Sequence, residues 1–278
     1  MYIWDNACVL FEEAFRMDLA TVFGLLVGFG LVIFSVLLAE GAKGFVPFLN
    51  PEAFFVVMGG TFCALLVNYP IREVFKIMKV TKKAFLSAEE EDTPAIIAVF
   101  VELAKKARTD GFLSLENDVK NMKNDFMKRG VQMVVDGLDK DLIANMMETE
   151  LGLIRERHNV GQEIFTALGT YSPAFGIIGT VLGMILMLSS ISDVEEVPRR
   201  MALALAAAFY GLGAGYLVFL PMSGKLRRKS EQELLIKEII IRGVLLLQSG
   251  AIPSRLEENL KAYLEPTQRA LVKGSSSK

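Results

Sequence analysis

Between Ile164 and Ile191 the chain reads IFTALGTYSPAFGIIGTVLGMILMLSSI, with no formal charge anywhere in the run. At about 1.5 Å per residue, a helix of this length crosses the ~30 Å hydrocarbon core of a bilayer with turns to spare. Its apolar residues are interleaved with Thr166, Gly169, Thr170, Ser172, Gly176, Gly179, Thr180 and Gly183. A helix facing only lipid has no use for that mixture. Gly176, Gly179, Thr180 and Gly183 recur at intervals of three and four, which places them on one helical face. Small residues there let a second helix approach closely, and Thr180 brings a hydroxyl to membrane depth. Pro173 removes one backbone donor and predicts a bend. The face and the proline together point to a site rather than to packing alone.

Three further charge-free runs accompany it: Leu19 to Ala39, Ala53 to Tyr69 and Met201 to Met222. The expected fold class is all-α: a polytopic membrane protein with four transmembrane helices and a helical cytoplasmic domain. A chain of 278 residues that is 52% hydrophobic suits that class. Basic residues cluster at Arg72, Lys76, Lys79, Lys82 and Lys83, at Arg155 and Arg157, and at Lys225, Arg227, Arg228 and Lys229. The bias of Lys and Arg towards the cytoplasm puts these segments, and both termini, inside. Arg199 and Arg200 fall on the other side, where Asp193, Glu195 and Glu196 are expected to pair with them.

The expected organisation follows. Residues 1–16 form an extension without the basic start and apolar middle of a signal peptide, and Asp18 caps the first helix. Residues 17–70 hold the first two spans and 71–162 a cytoplasmic helical domain. Residues 163–222 hold spans three and four, 223–266 are cytoplasmic C-terminal helices, and 267–278 are a disordered tail. In the cytoplasmic part, Glu89 to Asp92 reads as a solvated turn and Thr93-Pro94 as a helix start. Ile96, Val99, Phe100, Leu103 and Ala107 make an apolar stripe at helical spacing, ended by Gly111. A second helix starts near Phe112 with Leu115, Val119, Met122 and Phe126 inward. A third runs from Asp141 to Glu156 on Ile143, Met146, Met147, Leu151 and Ile154. Pro221 is expected to end the fourth span, and Leu226 to Gln248 to form an amphipathic helix. Ser254 and Glu257 read as the capping box of a last helix that stops before Pro266.

Several function classes are disfavoured. The net charge of −2 gives no reason to expect a nucleic-acid partner. Cys8 and Cys63 are too far apart to suggest a disulfide framework, and His158 is the only histidine. No phosphate-binding glycine loop, Gly-x-Ser-x-Gly elbow or Cys-x-x-Cys is present, so the chain does not read as an enzyme and no resident cofactor is expected. None of the four spans contains Asp, Glu, Lys, Arg or His. An ionisable group at a helix centre costs about 2.5–3.5 kcal/mol on insertion scales and usually marks an ion route. If this chain handles ions, a partner helix supplies that group.

From Met17 to about Leu264 the chain resembles the MotA/PomA family, the larger subunit of the flagellar motor stator. The likeness is carried by MDLATVFGLLVGFG at 17–30, by Val57 to Thr61 with Asn68-Tyr69-Pro70, and by Ala107-Arg108 through Gly111 to Glu116. Tyr171 to Thr180, Met201 to Leu205 with Tyr210-Gly211, and Lys229 to Gly250 continue it. The resemblance implies about five copies around two copies of a single-span MotB/PomB-type partner. The partner's aspartate carries H+ or Na+, and the ring turns against a FliG-type rotor switch protein. It implies an ion-path role for Thr180, coupling roles for Pro173 and Pro221, and rotor binding by Arg108 and Glu116. Ala208 stands at the family's second ion-path position, usually threonine, and Thr109 and Thr170 also depart from common family residues. A related reading is a stator-like energiser of a non-flagellar envelope process, of the ExbB/TolQ type.

Overall fold

The computed structural model describes residues 19–77 and 93–264. The N-terminal extension, Asp18, Lys79, Lys82, Lys83, the acidic turn at Glu89 to Asp92, Pro266 and the C-terminal tail lie outside these residues. Among the described residues all regular structure is helical. The helices divide into two compact units, residues 1–88 with 159–227 and residues 89–158 with 228–278.

The first unit contains α1 (Leu19–Glu40) and a 3-10 segment, Gly41–Phe48. Helix α2 (Pro51–Asn68) follows. It starts where expected from Pro51, and the Asn50 side chain accepts a hydrogen bond from the Ala53 amide at 3.0 Å. This satisfies one of the orphan amides of the first turn. A π turn at Phe55–Gly59 interrupts α2, and the buried Thr61 hydroxyl donates to the Val57 carbonyl at 2.6 Å. Residues 71–77 are again helical.

The second unit begins with α3 (Thr93–Asp110), and Ile96, Phe100 and Leu103 of the expected stripe are buried. Gly111 stops α3 by adopting φ +80°, a conformation that a side chain resists. The second helix is not continuous. A 3-10 turn (Phe112–Leu115) leads into α4 (Glu116–Lys120), and α5 (Asp125–Val135) starts afresh. The break has a local cause: the Asn124 side chain accepts from the Met127 amide at 2.9 Å, a cap in the middle of the expected stripe. Leu115, Val119 and Phe126 still turn inward.

Two long helices differ from expectation. Helix α6 runs unbroken from Lys140 to Ser189, so the expected cytoplasmic helix and the third span are one element, with Pro173 inside it. Of its cytoplasmic stripe Ile143, Met147, Leu151 and Ile154 are buried, whereas Met146 is exposed. Helix α7 (Glu196–Gln248) likewise passes through Pro221. The proline has no amide to donate, and the strain is taken up by a π turn at Gly213–Phe219, where the Leu220 amide reaches back five residues to the Gly215 carbonyl. Pro221 therefore marks a change of helical winding rather than the end of the helix.

Helix α8 (Pro253–Lys261) also corrects the expected capping box. Pro253 takes the first helical position, two residues earlier than a cap at Ser254 requires, and no side chain caps this end. Glu257 is instead buried and pairs with Lys261 at 2.6 Å. The core of the second unit gathers Phe100, Leu115, Val131, Ile143, Ile240, Val244 and Leu256 from five α-helices and the 3-10 turn.

The first unit leaves large side chains exposed: Phe23, Leu26, Leu31, Phe34 and Leu38 on α1, Phe55 and Val67 on α2, Ile177 and Ile185 on α6. Apolar surface on this scale is stable against lipid tails or other helices, not water. Three helices, α2, α6 and α7, are long and apolar enough to cross a membrane among the described residues, and α1 adds a shorter apolar stretch at Leu26–Ala39.

Candidate functional site

The small-residue face of α6 is closed by α7. A side chain at Gly183 would meet Ala204, with its Cβ, amide nitrogen and Cα at 2.7, 2.8 and 2.9 Å. Gly179 faces Ala207, Gly176 faces Ala207 and Gly211, and a side chain at Gly215 would meet the Pro173 ring at 2.8 Å. The backbones therefore approach along about three turns. The hydroxyl of buried Ser172 donates to the Gly211 carbonyl at 3.1 Å. Gly176, Gly179 and Gly183 are thus used in helix packing, which the sequence pattern had placed second to a site.

Thr180 sits at the edge of this seam and is half-buried. Its hydroxyl donates to the Gly176 carbonyl at 2.9 Å and leans towards the Ala204 carbonyl at 3.3 Å. One hydrogen serves both contacts, so the oxygen keeps its acceptor lone pairs. Ala208, also half-buried, lies beside Gly176 across the same seam. The two positions expected on an ion path thus belong to one helix pair. Pro173 stands in that seam too, against Gly215, while Pro221 is exposed, two residues beyond the π turn.

At one end of the first unit, Tyr210 ties α7 to the segment before α2. Its hydroxyl donates to the Phe48 carbonyl and accepts from the Asn50 amide at 3.1 Å. Arg200 pairs with Glu196 at 3.1 Å and with Glu52 at 3.7 Å, and Arg199 reaches Glu196 at 3.4 Å. Glu196 thus meets the expectation of pairing. Asp193 instead accepts from the amides of Glu195 and Glu196.

In the second unit Arg108 and Glu116 are both exposed near the Gly111 turn but do not pair with each other. Glu116 is held by Lys120 at 2.9 Å, and the hydrogen bond and charge of that lysine keep its carboxyl below the usual range. Arg108 makes no ion pair among the described residues. The pair is thus two separate exposed charges, one of them free to meet an acidic surface.

The single histidine, His158, faces Ser230 (Nδ1 to Oγ 2.9 Å) and Glu233 (Nε2 to Oε2 3.8 Å). Burial pushes its pKa below the usual value; the Glu233 carboxylate opposes that, and Arg157 and Lys237 add to it. A folded-state pKa below the unfolded one means stability that is present above about pH 6.5 and lost as pH falls through that value. The protein should therefore melt at a lower temperature at pH 5.5 than at pH 7.5. His158→Gln should narrow that difference in a thermal melt, and an unchanged difference would remove His158 from the account.

Several contacts gave no sequence signal of their own. Ser223, Ala204 and the Phe175 ring against Gly60 are ordinary residues whose roles come from the helix that faces them. A periodicity search on facing helices could have found Ala204 and Ala207 opposite Gly183 and Gly179; Ser223 carries no such pattern.

With this geometry in place, comparison with known proteins is informative. Residues 118–239 match the MotA/TolQ/ExbB proton channel family. The chemotaxis protein PomA of Vibrio alginolyticus is 36% identical over 255 residues, covering 92% of this chain and 98% of that protein. The uncharacterized protein YtxD of Bacillus subtilis (strain 168) is 34% identical over 248 residues, covering 89% of this chain and 91% of its own. The structure of the flagellar MotAB stator complex from Bacillus subtilis contains a chain that superposes with a TM-score of 0.82 at 31% identity, over 91% of this chain and 98% of that one. An all-helical membrane protein with a glycine seam between its two longest helices, related over nearly its full length to these proteins, belongs to the MotA/PomA family of flagellar motor stator subunits.

Proposed function

We propose that this chain is the larger subunit of an ion-driven flagellar stator in the bacterial inner membrane, with four spans and both termini in the cytoplasm. Several copies, five by family resemblance, surround two copies of a single-span MotB/PomB-type partner whose aspartate carries H+ or Na+. The chain itself is not an enzyme and holds no cofactor. The observation that carries the reading is the half-buried Thr180 hydroxyl, set beside the Ala204 carbonyl within spans that contain no Asp, Glu, Lys, Arg or His. Such a helix pair offers oxygen atoms to a passing cation and leaves the titrating group to another chain. Each charge moving down 100 mV releases about 2.3 kcal/mol.

In this reading Thr180 and Ala208 border the ion's route. Pro173, wedged against Gly215, and Pro221, beside the π turn, are where α6 and α7 can change shape as the ion passes. Arg108 and Glu116 contact a FliG-type rotor protein. An exposed ion pair is worth about 0–1 kcal/mol to folding, so exposed charges of this kind are better explained by an external contact. Arg108→Glu should cut torque several-fold in a tethered-cell assay while leaving expression and melting temperature unchanged, and a compensating charge reversal in the rotor should restore part of it. Normal torque from Arg108→Glu alone would reduce Arg108 to ordinary surface.

A further inference from the structure

The first unit holds an oxygen cluster that the Thr180 account does not use. The hydroxyls of Thr166 on α6 and Ser223 on α7 are 2.8 Å apart. Both also reach one backbone carbonyl, that of Gln162: Thr166 at 2.9 Å and Ser223 at 3.0 Å. Three oxygens thus form a nearly equilateral triangle. Ser223 is almost fully buried, whereas Thr166 is exposed, so the triangle opens on an outer face of α6.

Both hydroxyl hydrogens are used within this triangle. Two hydroxyl hydrogens serve three oxygens, and the Gln162 carbonyl already accepts the helical amide of Thr166. If both hydroxyls donate to that carbonyl, their own oxygens face each other at 2.8 Å without a hydrogen between them. If one hydroxyl donates to the other, at least one acceptor position is left over. Either way at least one hydroxyl oxygen keeps lone pairs that no hydrogen of the triangle meets, and these can face a cation. Three neutral oxygens on one side are half of an octahedral shell, with the open side left for water or a carboxylate.

The cluster also has a position in the route. At 100° per residue, Thr166 lies about 40° around α6 from Thr180, and Thr170 about 80°, so all three share one face. The Thr170 hydroxyl donates to the Thr166 carbonyl at 2.9 Å and continues the line of oxygens. Thr166 and Ser223 lie towards the end of the spans that carries Lys225 and Arg227, the end assigned to the cytoplasm.

We propose that Thr166, Ser223 and the Gln162 carbonyl form a second cation station, where the ion that has passed Thr180 is held as it leaves towards the cytoplasm. The ligand is a small monovalent cation, sodium or hydronium. This rests on the ion-path reading of Thr180.

The test is rotation speed of tethered cells expressing the full complex, measured against sodium at fixed pH and against pH at fixed sodium. Thr166→Val with Ser223→Ala should raise the concentration of the driving ion needed for half-maximal speed at least about threefold. Thr166→Ser, which keeps the oxygen, should leave it unchanged. Dependence on sodium identifies a sodium station, and dependence on pH alone a proton station. Lower speed with an unchanged half-saturating concentration would mean a structural clasp between the helices and would overturn the proposal. If the double variant does not assemble, Thr166→Val alone decides, because its side chain is exposed and the exchange is isosteric. A normal curve for the Thr166 and Ser223 variants beside a Thr180→Val variant that cannot rotate would overturn this station and leave the ion path standing. Normal curves for all of them would overturn both.

Discussion

Gly211→Val is expected to abolish the stable membrane unit. A Cβ at this position would lie 2.7 Å from the Ser172 carbonyl oxygen, 2.8 Å from the Gly176 Cα and 3.1 Å from the Gly176 nitrogen. All three are backbone atoms of α6, so no side-chain rotation relieves the contact. The helices must separate, and separation breaks the Ser172 hydrogen bond to Gly211 and draws Thr180 away from Ala204. Overpacking of a well-filled interface costs about 1–3 kcal/mol and sometimes more, and here the loss propagates along the whole seam. The control is Gly213→Val, two residues on, where an added Cβ meets nothing within 4 Å. Both variants carry the same helix-propensity cost. Melting in detergent and the amount of protein in the membrane should fall sharply for Gly211→Val and little for Gly213→Val. Equal behaviour would mean that the seam does not hold the unit together.

Thr180→Val should behave in the opposite way, with assembly kept and rotation lost. Valine has nearly the shape of threonine, and hydrogen bonds between membrane helices average only about 0.6 kcal/mol in double-mutant measurements. The Gly183, Gly179 and Gly176 contacts do not involve the hydroxyl, so the seam survives. What disappears is the one side-chain oxygen presented between α6 and α7 at the Ala204 carbonyl. Tethered-cell speed should drop at least tenfold at an unchanged protein level. Thr180→Ser should recover most of it. Normal speed from Thr180→Val would remove this residue from the ion path.

Much of this architecture was readable in the sequence because the signals were periodic. The charge-free runs, the stripe through Ile96, Phe100 and Leu103, and the glycine face of α6 all follow from spacing alone. The failures have local causes. Pro221 is an ordinary helix terminator by its chemistry, but a π turn placed just before it lets α7 continue. Ser254 and Glu257 have capping-box spacing, but Pro253 starts α8 two residues early and Glu257 is taken by Lys261. The cap formed by Asn124 splits the expected second helix. Arg108 and Glu116 flank one turn, but Lys120 is nearer to the glutamate. The glycine face was legible as a face and not as a seam, because its partner is more than twenty residues away on α7. The Thr166 and Ser223 triangle was legible in neither helix alone.

The central claim, that this chain converts ion flow into rotation with a single-span partner, is tested most directly by one measurement. A motility-null host expressing this chain with that partner is tethered, and rotation speed is recorded against sodium at constant ionic strength and proton-motive force, then after adding a protonophore. The account predicts rotation that requires both chains and stops when the driving gradient is removed: speed rises with sodium for a sodium stator, or is indifferent to sodium and lost with the protonophore for a proton stator. A correctly assembled complex that leaves the cells still, on a rotor that its relatives drive, would contradict it and favour the non-flagellar energiser.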